Sequence, residues 1–141
     1  MIKEDIRIVF MGTPEFAVTI LDGLLQQNYT IAGVITAPDR PSGRGQKLHE
    51  SAVKVFSKSK GITVLQPTNL KGDSFLSELK ALNANLQIVV AFRMLPKVVW
   101  QMPALGTFNL HASLLPDYRG AAPINWAIIN GEKETGVTTF F

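Results

Sequence analysis

The sequence predicts an α/β fold with a doubly wound, mostly parallel sheet, and two observations carry that expectation. Short apolar runs of strand length recur along the chain, and stretches with helical spacing lie between them. Strands buried on both faces read as continuous apolar runs, and their alternation with helices is the signature of parallel β-α-β units.

The runs are Ile6 to Met11, Ile31 to Thr36, Ile62 to Leu65, Leu86 to Ala91, Thr107 to Leu110 and Val137 to Phe141. After the first, Phe16, Ile20, Leu21, Leu24 and Leu25 repeat at helical spacing, with Thr13 as the expected N-cap and Pro14 at the first helical position. Helices are also expected from about Ser51 to Lys60, Asp73 to Leu82 and Pro123 to Asn130, the last closed by Gly131. Ala37 to His49 stands apart: with two prolines, two glycines and the cations Arg40, Arg44 and Lys47, it reads as an exposed, mobile loop too broken for helix or strand.

With 141 residues and 46% hydrophobic content, the chain suits one domain spanning 1–141. No apolar run approaches the ~20 residues of a membrane span. Lys3, Glu4 and Asp5 occupy the place where a signal peptide needs a basic start and an apolar core, so a cytoplasmic protein is expected. The chain has no cysteine, which excludes disulfides and thiolate chemistry, and its two histidines lie far apart, so no metal is expected. A formal charge of +3 points to a polyanion only where the cations cluster.

In open α/β sheets ligands bind beyond the carboxyl ends of the strands, where strand order reverses. Met11 to Phe16 follows the first strand, with Gly12 permitting close backbone approach. A lone glycine falls short of G-x-G-x-x-G, which disfavours a nicotinamide cofactor. Gly43 to Lys47 lacks the spacing of a phosphate-binding loop. Arg40, Arg44 and Lys47 suit either phosphate contacts or a solvated charged loop with no interleaved aromatic side chain.

Asn109 and His111 are two apart on one apolar strand, so their side chains share a face at its carboxyl end. An amide that donates and an imidazole that moves a proton near neutral pH suit an acyl carbonyl under attack. Each preorganised donor to the developing oxyanion is worth about 3 to 4 kcal/mol. No serine or cysteine sits in a recognisable nucleophile elbow, so direct attack by a substrate amine is expected.

Asn109-x-His111-x-Ser113-Leu114-Leu115-Pro116, followed by Tyr118-Arg119-Gly120, resembles the hallmark of the folate-dependent formyltransferases, and the resemblance runs from about Ile6 to Phe141. It implies a Rossmann-like sheet and formyl transfer from 10-formyltetrahydrofolate to an amine, with Asn109 and His111 catalytic. The family's third catalytic residue, an Asp, is expected beyond the chain; neither Asp73 nor Asp117 sits in its motif. The resemblance gives Ser113, Leu114, Leu115 and Pro116 to the folate, and the turn containing Phe92, Met94 and Leu95 to its pterin pocket. Ala91-Phe92-Arg93-Met94 departs from the Tyr-Gly type of turn common in the family, so the resemblance assigns Arg93 no role.

Gly12 to Val18 and Pro38 to Leu48 are similar to the family's methionyl-tRNA branch, which implies tRNA contacts for Arg40, Arg44 and Lys47 and a part in translation initiation. The implied partners are initiator methionyl-tRNA and folate, with no membrane, in an enzyme that is monomeric at full length. A C-terminal tRNA-binding domain is expected to be absent from this stretch, which should be inactive alone. The rival readings are an amino-sugar formyltransferase and a non-catalytic nucleotide- or folate-binding α/β module.

Overall fold

The computed structural model describes residues 2–42, 45, 47–110 and 137–139. Among them a six-stranded sheet runs in the order β5-β2-β1-β6-β7-β8. Its strands are β1 (Arg7–Gly12), β2 (Thr30–Ile35), β5 (Val64–Leu65), β6 (Leu86–Val90), β7 (Thr107–Leu110) and β8 (Val137–Thr139). Every neighbouring pair is parallel except β7 with β8. The fold is therefore α/β with a mostly parallel, doubly wound sheet.

Alternation along β1 shows how the winding is held. Ile8 and Phe10 face a core shared with Ala17, Ile20 and Leu21 of α1 (Glu15–Gln26) and Val53 of α2 (Ala52–Ser59). Val9 and Met11 face the opposite core, with Phe75 and Leu79 of α3 (Asp73–Ala81) and Val99 of α4 (Lys97–Trp100). All four are at most 1% exposed, so the strand is apolar at every position from Ile8 to Met11, as a central parallel strand requires, and only Arg7 at its start is exposed.

Two local expectations are corrected. Pro14 (φ −81°, ψ 174°) is the N-cap of α1, and the helix begins at Glu15, one residue later than the sequence suggests. Thr13 does not cap it: its hydroxyl accepts from the Ala37 N–H at 3.4 Å and its carbonyl from the Val53 N–H at 3.3 Å, so Thr13 ties the end of β1 to neighbouring elements. Nor is the stretch after Ala37 without strands. Arg40–Ser42 (β3) and Lys47–His49 (β4) pair antiparallel as a separate ribbon, Arg40 opposite His49 and Pro41 opposite Leu48. Both strands of a two-stranded ribbon are edges, where proline is tolerated. The expected helix over Pro123 to Asn130 lies outside the described residues.

The strand order reverses between β1 and β6: β2 and β5 lie on one side, β7 and β8 on the other. This is where such sheets form a ligand crevice at their carboxyl edge. Gly12, which ends β1 there, has no room for a side chain, since a Cβ would stand 2.7 Å from Ala17 Cβ and 2.8 Å from the Val90 carbonyl oxygen.

Candidate active site at the carboxyl edge of the sheet

Two neighbouring cavities open at this edge. One, of about 420 Å³, is lined by Val89, Phe92, Arg93, Met94, Leu95, Trp100, Thr107 and Asn109. The other, of about 590 Å³, lies over the ends of β1, β2 and β6 and is lined by residues that include Thr13, Arg40, Thr68, Ala91, Phe92 and Arg93. Both fall in the size range of small-molecule sites. Phe92 and Arg93 belong to both walls, so the two spaces adjoin at the turn after β6.

The first cavity is built by β6, β7 and α4. Asn109 stands on β7 opposite Val89 of β6, half-buried, and among the described residues its amide has no hydrogen-bond partner. Beneath it the buried Thr107 hydroxyl lies 2.7 Å from the Trp100 carbonyl oxygen and 3.0 Å from Gln87 Oε1, which fixes α4 against the sheet. Phe92, Leu95 and Trp100 give apolar walls, and Met94, 93% exposed, stands at the rim. An apolar slot with a lone amide on its wall suits a flat heterocycle bearing a carbonyl group.

The turn after β6 is held in a strained form. Ala91 has φ +50°, a left-handed conformation that costs a non-glycine residue roughly 1–2 kcal/mol. Arg93 fastens the turn from outside, donating from Nη2 to the Pro67 carbonyl at 2.6 Å and from Nη1 to the Thr68 carbonyl at 3.1 Å, while its guanidinium lies 5.0 Å from the centre of the Phe92 ring. Desolvation, and then the like charge of Arg40, pull its pKa below the ordinary arginine value, and it remains protonated.

The β3–β4 ribbon is stapled at its base. Thr36 Oγ1 and Ser51 Oγ are 2.7 Å apart, and Ser51 also accepts the Lys54 N–H as N-cap of α2. Lys54 Nζ then reaches one carboxylate on each side of the ribbon, Asp39 at 2.8 Å and Glu50 at 2.9 Å. Gln66 adds a bond to Asp39 at 2.8 Å and to the Ala37 carbonyl at 3.1 Å. Hydrogen bonds from Lys54 first, and from Gln66 or Lys58 second, hold the Asp39 and Glu50 carboxyls below their usual pKa; the same two carboxylates raise that of Lys54. Beyond this clamp Arg40, Lys47, Leu48 and His49 are exposed.

The structure thus brings Phe92, Met94, Leu95 and Asn109 to one cavity and puts Arg40 on the adjoining crevice, with Lys47 on the ribbon beside it. His111, Arg44, Ser113, Leu114, Leu115 and Pro116 lie outside the described residues. Sequence reasoning did not single out Trp100, Lys54 or Gln66. Only Lys54 left a signal, its four-residue spacing from Glu50, with the acid N-terminal to the base.

Three comparisons bear on this arrangement. The chain is 75% identical over 138 residues to a methionyl-tRNA formyltransferase of Flavobacterium johnsoniae, covering 98% of this chain and 44% of the relative. It is 68% identical over 142 residues to one of Parabacteroides distasonis, covering 100% and 44%. The chain therefore spans about 44% of the length of the curated relatives it matches. A solved phosphoribosylglycinamide formyltransferase of Anaplasma phagocytophilum shares the fold, with a TM-score of 0.59 at 16% identity over 98% of this chain and 66% of that one. The formyl transferase family matches residues 6–141, nearly the whole sequence, and the chain belongs to that family.

Proposed function

We propose that this chain is the N-terminal, folate-binding part of a longer methionyl-tRNA formyltransferase, which formylates the amino group of initiator methionyl-tRNA. The observation that carries this reading is the position of Asn109: it stands at the carboxyl end of β7 on the wall of an apolar cavity, next to a crevice flanked by a basic ribbon. Family membership and the names of the relatives support the same reaction, and the greater length of those relatives supports a further, tRNA-gripping domain.

The donor, 10-formyltetrahydrofolate, supplies the formyl carbon when bound. Phe92, Leu95 and Trp100 take its pterin between apolar faces, with Met94 at the entrance and the Ser113 to Pro116 segment completing the hold. Asn109 donates its amide N–H to the formyl oxygen as negative charge develops there, a contribution of about 3–4 kcal/mol. His111, two residues further on, takes part in proton movement. Arg40, Arg44 and Lys47 neutralise phosphates of the acceptor, and the Asp39–Lys54–Glu50 clamp sets where the ribbon points. On this reading the enzyme works in the cytoplasm as a monomer and needs no metal.

The test is formyl transfer by the full-length protein. Asn109→Ala should lower kcat by about 10²–10³ with little change in KM for folate. Arg40→Ala and Lys47→Ala should each flatten the salt dependence of tRNA binding by roughly 0.7 to 0.9 in log–log slope. Wild-type turnover in Asn109→Ala would remove the catalytic assignment. An unchanged salt slope in both ribbon variants would redirect the reading to an amino-sugar acceptor.

A further inference from the structure

The crevice over β1, β2 and β6 carries more positive charge than the ribbon assignment uses. Arg40 and Arg93 both line it, together with the hydroxyl-bearing Thr13 and Thr68, and its lining contains no carboxylate among the described residues. The nearest acid in sequence, Asp39, is committed elsewhere, to Lys54 and Gln66. The Arg40 side chain makes no hydrogen bond or ion pair among the described residues. Arg93 spends one N–H of each terminal nitrogen on the Pro67 and Thr68 carbonyls and keeps further donors. After desolvation, the like charge of Arg40 also lowers the pKa of Arg93, a repulsion that an anion bound between the two would relieve.

We infer that this crevice is an oxyanion site in which Arg40 and Arg93 together take one phosphate group. Arg93 is held from behind by two backbone carbonyls, and Arg40 lines the same crevice from the strand that starts at the clamped base of the ribbon. Planar guanidinium groups pair well with tetrahedral oxyanions. The site itself stands on these residues alone; only the natural source of the anion rests on the function proposed above. An RNA acceptor presents phosphodiesters there, and a polyglutamyl folate presents carboxylates from the neighbouring cavity.

The probe is inorganic phosphate, titrated calorimetrically into the full chain against chloride at equal ionic strength. Arg40→Met is the first variant, because the Arg40 side chain supports no hydrogen bond of the fold among the described residues; Arg93→Lys follows, keeping charge while losing the planar guanidinium. Lys80→Met, on the exposed last turn of α3, serves as control. We expect saturable binding in the wild type and in Lys80→Met, and a Kd at least tenfold weaker in Arg40→Met. Arg93→Lys should fall between, with melting curves confirming that each variant folds. Displacement of phosphate by single-stranded RNA would assign the site to the acceptor, and displacement by triglutamyl 5-formyltetrahydrofolate would assign it to the folate tail. Absence of saturable binding in the wild type, or an unchanged Kd in folded Arg40→Met, would overturn the site even if formyl transfer by the full-length protein is established.

Discussion

Replacing Gly12 by alanine should loosen the sheet at its switch point. The added Cβ would stand 2.7 Å from Ala17 Cβ, 2.8 Å from the Val90 carbonyl oxygen and 3.1 Å from Phe10 Cε1. Non-bonded carbons sit at about 3.5–4.0 Å, so the first contact is short by roughly 0.8 Å. Neither of the two closest neighbours can rotate away. Ala17 is fully buried in the first turn of α1, and the Val90 carbonyl belongs to the strand residue that pairs with Gly12. Relief requires α1 or β6 to move, and overpacking of this kind costs about 1–3 kcal/mol. Alanine recovers about 0.4–1 kcal/mol by restricting the unfolded chain, which leaves a net loss of about 1–2 kcal/mol.

Gly33→Ala is the matched control. Its Cβ would meet Leu82 Cδ1 at 2.6 Å, but that atom is the far end of a flexible side chain, so the net effect should lie within about 0.5 kcal/mol of zero. Urea unfolding of wild type and both variants at constant m-value measures the difference directly. A Gly12→Ala protein as stable as wild type, or a Gly33→Ala protein destabilised equally, would refute the argument from rigid neighbours.

Other expectations follow from strain and charge. Ala91→Gly should raise stability by about 0.5–1 kcal/mol, since relief of a left-handed alanine exceeds the added flexibility of the unfolded chain, whereas Ala91→Val should lose about 1–2 kcal/mol; a lower urea midpoint for the glycine variant would contradict the strain at φ +50°. The clamp on the β3–β4 ribbon should be pH-dependent. Asp39 and Glu50 have folded pKa values below their ordinary 3.8 and 4.5, so their stabilisation is present above that range and is lost as pH falls through the depressed values, while Lys54, raised above 10.5, contributes at neutral pH and fails only in strong alkali. Amide exchange of Arg40 and His49, corrected for its intrinsic pH dependence, should therefore accelerate below about pH 4 in wild type. In Lys54→Met it should be fast at every pH, and slow neutral-pH exchange there would rule out the clamp.

The sheet was legible because its central strands are buried on both faces, which leaves little choice of residue from Ile8 to Met11 or from Ile88 to Val90. The start of α1 was not, because Thr13 has the chemistry of a cap but uses its hydroxyl on the Ala37 N–H, a contact between segments 24 residues apart that local spacing cannot reveal. The ribbon was hidden for a related reason. Its Pro41 and flanking glycines speak against a strand in a sheet interior, and nothing local indicates that Lys54 and Gln66 gather its base. In the candidate site, Asn109 and the turn after β6 could be read from a strand end and a resemblance, whereas Trp100 and the outward brace of Arg93 depend on how α4 and the end of β5 fold back.

The most direct measurement of the central claim is a calorimetric titration of the chain with 5-formyltetrahydrofolate, with NADH in parallel and Leu95→Arg as the blocked variant. Leu95 lines the Asn109 cavity, and a charged side chain there would fill the apolar slot. Wild type should bind folate saturably, a folded Leu95→Arg protein should bind none, and neither should bind NADH. Folate binding unchanged in Leu95→Arg, or NADH binding in its place, would contradict the claim.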